Sequence, residues 1–198
     1  MAKNIIDGFE HPPGVHCGSS AFTDAARFIG LPWSEPLVFG LAAGVGFYLI
    51  TADGASPSRM IAGRSGLFEQ SFTQNTGLVF DERTTRDASE ALQGILQLID
   101  GGEPVLIKSD IRYLPHYDTQ TAFNGHKVVV AGYDEGAEEV YVADTHFEGL
   151  QPVGYEALKQ ALSSDGPPTF WSECMYGPLR RSTAERSIDE AIRQAMAM

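Results

Sequence analysis

The sequence predicts an α+β fold in which N-terminal helices pack on a mostly antiparallel sheet. Three observations lead there. Apolar residues recur at helical spacing in the first half, beginning with Phe22, Ala25, Ala26 and Ile29. β-rich runs gather in the second half, at 104–108, 127–133 and 140–143. Two of these runs are joined by the turn-forming stretch GYDEGAEE, so they pair as an antiparallel hairpin. Helices first and strands afterwards is the order of an α+β chain. A length of 198 residues with 43% hydrophobic side chains supplies one full core.

The elements follow in order. Residues 1–16 are irregular and hold a Pro-Pro-Gly turn. A helix starts at Cys17 and is stopped by Gly30 and Pro32. A short helix covers 35–41, and GVGFYLIT at 44–51 reads as a strand. A helix over 67–75 ends at Gly77, followed by a short strand at 78–80. Residues 87–100 form an amphipathic helix, with Ala91, Leu92, Ile95, Leu98 and Ile99 on one face and Gly101-Gly102 as terminator. Val128, Val129 and Val130 are consecutive, which suits a strand buried on both faces. Residues 155–162 read as a helix, 169–175 as a strand and 183–198 as a closing amphipathic helix. The organisation expected is one domain over 1–180 and a C-terminal helix over 181–198 that either opens a second domain or closes a stand-alone one.

Charge and apolar patterning remove several function classes. A net charge of −12 opposes nucleic-acid binding, which needs a basic surface; it reads either as solubility alone or as attraction for a cationic substrate such as an amine. The longest apolar stretch, 36–50, is too short to span a membrane and contains three glycines. The first ten residues lack an export pattern, so a cytoplasmic protein is expected. Two cysteines, Cys17 and Cys174, make no disulfide framework and no Cys-x-x-Cys zinc motif. Nothing in the sequence requires a cofactor or a metal.

The chemistry concentrates on Cys17. A thiol at a helix start meets backbone N–H groups and the positive end of the helix dipole, and both favour the reactive thiolate. A thiolate nucleophile needs an imidazole to hold its proton and later deliver it. His126 opens the valine-rich strand in NGHKVVVAGYD, at the sheet edge where a cleft would lie. Asp144 ends the next strand in VYVADTHF. A hairpin turn centred near Gly136 agrees with a pairing of Asp144 and His126, where the carboxylate can orient the ring. Cys174, beside Trp171 in an apolar run, reads as a buried hydrophobe. Glu35 reads either as a first-turn charge complementing a helix dipole or as a group facing the cleft. Asp110 reads either as a turn residue after a core strand or as part of the site.

These residues carry a resemblance. A helix-start Cys, then His-x-Val-Val-Val-x-Gly-Tyr-Asp, then Val-x-Val-x-Asp resembles the papain-like cysteine fold, including bacteriocin-processing peptidases. Adding GVHC at 14–17, SEPLVFGL at 34–41, GVGF at 44–47, DGGEPV at 100–105 and YLP at 113–115 narrows it. The chain then resembles the N-terminal domain of butirosin biosynthesis protein H over roughly residues 10–165. The resemblance implies acyl transfer from an acyl carrier protein or small-molecule thioester to an amine acceptor. Cys17 would form the acyl-enzyme, His126 would be base and then acid, and Asp144 would orient His126. The oxyanion would be held by the Cys17 backbone N–H and one side-chain donor. Papain-like enzymes place a glutamine six positions before the cysteine; here that position is His11, so His11, His16 or a group elsewhere would have to supply the donor.

Three other functions compete with acyl transfer. A peptidase or amidase would use the same triad with water as acceptor. A catalytically silent binding module would keep the fold and break the triad. A metal site would draw on Cys17, His126, Asp144 and His146, whose spacing matches no recognised ligand set.

Overall fold

The computed structural model describes residues 3–51, 53–54, 58–62, 67–168 and 173–198. The chain runs β1 (Lys3–Ile5), α1 (Cys17–Phe28), α2 (Glu35–Leu41), β2 (Tyr48–Thr51), β3 (Arg59–Ala62), α3 (Phe68–Thr76), β4 (Val79–Phe80) and β5 (Arg83–Thr85). It continues through α4 (Ala88–Asp100), β6 (Val105–Asp110), two 3-10 turns at Ile111–Tyr113 and Pro115–Tyr117, β7 (Asn124–Asp134) and β8 (Glu139–Ala143). The last elements are β9 (Leu150–Gly154), α5 (Tyr155–Leu162), β10 (Cys174–Arg180) and α6 (Ile188–Met196). The fold is α+β, as the element order predicts.

The main sheet runs β4-β10-β6-β7-β8-β9, and every pairing among the described residues is antiparallel. β7 is its longest strand because two partners share one edge. β6 pairs with it as far as Val130, and β1 takes over from Gly132 to Asp134. The consecutive valines of β7 are buried on alternate faces. Val128 and Val130 join Ile95, Ile99, Leu158 and Leu162 in the core beneath α4 and α5. Val129 joins Phe22, Phe72, Val38 and Leu41 beneath α1, α2 and α3. Each such side chain, removed from water, stabilises the fold by roughly 1.5–3 kcal/mol. The sheet is therefore a partition with helices on both sides, and α1 packs chiefly on β7, the interior strand that carries His126.

Three boundaries differ from expectation for physical reasons. The closing strand is Cys174–Arg180, later than 169–175, and positions 169–172 lie outside the described residues. Gly177 and Pro178 have the look of a turn, yet both sit inside β10. The Asp81 backbone crosses directly over Gly177, where a Cβ would collide with its carbonyl oxygen, and Asp81 N–H donates to Pro178 O at 3.0 Å. β2 begins at Tyr48 because the preceding residues lead out of α2 as coil. The last helix spans Ile188–Met196, starting at a capping box formed by Ser187 and Glu190, and packs back on α2 and α3. No helix among the described residues is long and apolar enough to cross a membrane.

Candidate active site

Cys17 is the first residue of α1, and the approach to it is tightly specified. His16 is the N-cap: its Nδ1 accepts from Ser19 N–H at 3.1 Å, and its ring packs against Phe39 and Phe68. Glu35, at the start of α2, reaches across to this turn. Its carboxylate accepts from Val15 N–H and His16 N–H, both at 2.9 Å, and from the Ser19 hydroxyl at 2.8 Å. To the two readings of Glu35 the structure adds a third: it ties the turn that enters α1 to α2. Gly14 completes the turn, donating to Thr145 O at 2.6 Å. A Cβ there would lie 2.6 Å from Ser20 Oγ and 2.9 Å from Glu35 Oε2. A Gly14→Ala protein is accordingly expected to lose about 1–3 kcal/mol in chemical denaturation, through overpacking of this turn.

His126 lies in β7 and Asp144 follows directly on β8, both buried. The hairpin register differs from that expected. Val129 pairs with Ala143 and Val130 with Val142, so the ladder extends Asp144 toward Val128 and leaves His126 two residues farther along the strand. The side chains span this offset diagonally, and His126 Nε2–H donates to Asp144 Oδ1 at 2.8 Å. The same imidazole is hydrogen-bonded to Cys17. With Nε2 on Asp144, Nδ1 is the ring nitrogen that faces the thiol. Burial opposes the imidazolium, but the bonds to Asp144 and Cys17 outweigh it and raise the His126 pKa to about 9. Burial likewise opposes the Asp144 carboxylate, yet His116 and His126 hold its pKa down to about 2. Cys17 is partly exposed, whereas His126 and Asp144 are buried.

Two groups at this site escaped the sequence reading. His116 Nε2–H donates to Asp144 Oδ2 at 2.8 Å, and the Tyr117 hydroxyl donates to Asp144 Oδ1 at 3.1 Å. Burial and the neighbouring Asp144 charge push the Tyr117 phenol upward, so it remains a donor. Both residues come from the 3-10 turn after β6. Its sequence, Pro115-His116-Tyr117, carries no periodicity that would aim it at the end of β8.

The remaining expected site residues sit elsewhere. His11 is not placed to donate to an oxyanion. Its Nε2–H donates to the carbonyls of Asp144 and Phe147 at 3.2 and 3.1 Å, and its Nδ1 shares a proton with Asp24 Oδ2 at 2.6 Å. Both ring nitrogens are spent on fastening the N-terminal segment to α1 and to the Asp144 turn. Asp110 is likewise occupied, which favours its turn reading. Its carboxylate accepts from the N–H groups of Arg112 and Phe123 and from the Ser164 hydroxyl. His146 is exposed. Among the described residues no three His, Cys, Asp or Glu side chains are grouped so as to hold a metal ion. Cys174 is fully buried, as its apolar neighbours predict, and burial raises its thiol pKa.

No curated protein matches this sequence. A family model described as "Butirosin biosynthesis protein H, N-terminal" matches residues 16–145, a span that opens one residue before Cys17 and closes one residue after Asp144. The chain belongs to that family.

Proposed function

We propose that this member of the butirosin biosynthesis protein H N-terminal family is a cysteine acyltransferase working through a Cys17 acyl-enzyme. The observation that carries the reading is the hydrogen-bonded line Cys17–His126–Asp144, which joins a partly exposed cysteine at a helix start to a buried carboxylate. The fold is read as papain-like on the same ground.

The chemistry follows from that line. The Cys17 thiolate attacks the carbonyl carbon of a thioester, forming a carbon–sulfur bond and an oxyanion. The first turn of α1, including the Cys17 amide, is the place for that oxyanion. Collapse breaks the bond to the leaving thiolate, which takes the imidazolium proton from His126. Neutral His126 then removes a proton from an incoming amine, which attacks the acyl-enzyme and releases Cys17. Asp144 keeps Nε2 protonated throughout, so that Nδ1 alone exchanges protons with the reactants. The net charge of −12 favours a cationic amine as acceptor, and the family kinship favours an acyl carrier protein or small thioester as donor.

The test is to incubate the protein with an acyl-N-acetylcysteamine thioester and measure intact mass. A stable mass increase of one acyl group, lost in Cys17→Ala and discharged by an added aminoglycoside, is the expected result. Discharge by water at the same rate with or without amine would make the protein a hydrolase. No acyl adduct on Cys17 with any thioester would contradict the reading.

A pH dependence follows as well. The imidazolium is present below about pH 9 and lost above it. Acyl-enzyme formation from donors whose leaving group must be protonated is therefore expected to fall above about pH 9. Alkylation of Cys17 by iodoacetamide, which needs the thiolate alone, should show no such fall. Parallel rate measurements with the two reagents check the difference.

A further inference from the structure

We infer that His116 is a positioning residue that acts on Cys17 through Asp144, a role that rests on the acyl-enzyme reading above. The Asp144 carboxylate is fully buried and its two oxygens are divided between opposite partners. Oδ1 faces His126 and the Tyr117 hydroxyl, whereas Oδ2 is held by His116. A carboxylate gripped at one oxygen can rotate about its Cβ–Cγ bond and carry the His126 hydrogen bond with it. Gripped at both, it cannot.

The cost of placing a histidine here identifies what it does. The ring packs edge-on against Phe147, 4.7 Å between centroids, and tilts against Tyr117 at 5.1 Å. A phenyl ring would fill that space equally well. The imidazole instead leaves its Nδ1 buried with no hydrogen-bond partner among the described residues, which is unfavourable for a polar atom away from water. The bond to Asp144 Oδ2 is the polar contact that offsets this. The ionisable groups that converge on Asp144 come from four elements: His126 from β7, His116 and Tyr117 from the 3-10 turn, Cys17 from α1, and His11 with Asp24 behind its backbone carbonyl. Of these, only His116 holds the oxygen that His126 does not use.

The experiment compares the pH dependence of Cys17 alkylation by iodoacetamide in four proteins: parent, His116→Phe, His116→Gln and His126→Ala. His116→Phe keeps the packing and removes the donor; His116→Gln keeps an N–H near the Nε2 position. The expected result is a half-reaction pH about one unit higher in His116→Phe, close to tenfold lower reactivity in the acid range, with the parent profile restored in His116→Gln. A purely structural role would lower thermal stability without moving the pH midpoint. A His116→Phe profile that overlies the parent, while His126→Ala still loses acid-range reactivity, overturns the inference and leaves the acyl-enzyme reading standing. A His126→Ala profile that overlies the parent overturns both. If His116→Phe fails to fold, His116→Asn replaces it, since its shorter amide cannot reach Oδ2 and predicts the same upward shift.

Discussion

An Asp144→Asn protein is expected to be about 3 kcal/mol less stable near neutral pH and about a hundredfold slower in acyl-enzyme formation. Asp144 accepts three hydrogen bonds while fully buried. An asparagine retains one acceptor oxygen and turns an NH2 toward a donor, so a buried donor is left without an acceptor whichever way the amide faces. The electrostatic part has a defined pH window. The folded carboxylate titrates near 2, below its ordinary value of 3.8. Its ionised form therefore stabilises the fold above about pH 4, and this contribution is lost as pH falls through about 2. Urea denaturation of parent and Asp144→Asn at pH 7 and at pH 3 checks both parts. The difference should be large at pH 7 and shrink at pH 3. Equal stability at pH 7 would mean that the three donors are satisfied without the carboxylate.

The second large effect is expected at Glu35, which touches neither Cys17 nor His126 in any bond described above. A Glu35→Ala protein should be about 2 kcal/mol less stable, because two backbone N–H groups and the Ser19 hydroxyl lose a charged acceptor. Cys17 alkylation at neutral pH should fall about tenfold, since the turn entering α1 is no longer tied to α2. Glu35→Gln should fall between Ala and parent, because one oxygen survives while the amide N–H opposes another N–H. Thermal denaturation and alkylation rates on the three proteins measure this. An alkylation rate unchanged in Glu35→Ala would show that the helix-start geometry holds without α2.

What was legible in the sequence, and what was not, divides along a physical line. Cys17, His126 and Asp144 announce themselves locally. The first sits at the break between a Pro-Pro-Gly turn and a helical pattern, the second at the mouth of an apolar strand, and the third at a strand end. Their pairing was legible too, although the hairpin is offset from the expected register and the contact is diagonal. His116 and Tyr117 were not legible, because a 3-10 turn has no apolar periodicity and its direction is set by what it packs against. His11 drew attention by its distance from Cys17 along the chain, a criterion blind to Asp24, which takes its Nδ1. In the fold, the both-faces burial of Val128–Val130 followed from three consecutive valines. β5 and β9 were missed because Arg83–Thr85 is polar and Leu150–Gly154 contains a proline. β10 was displaced because Gly177 and Pro178 resemble turn residues until the crossing Asp81 backbone is seen.

The central claim is that Cys17 and His126 form a thiolate–imidazolium pair. Thiolate absorbance in the ultraviolet measures it without any substrate, taking the difference between the parent and Cys17→Ala across a pH titration, and repeating it in a His126→Ala background. The expected result is thiolate in the parent at about pH 6, well below the ordinary thiol pKa of roughly 8.5, and none at that pH in His126→Ala. A Cys17 thiol that ionises near 8.5 in both backgrounds would contradict it.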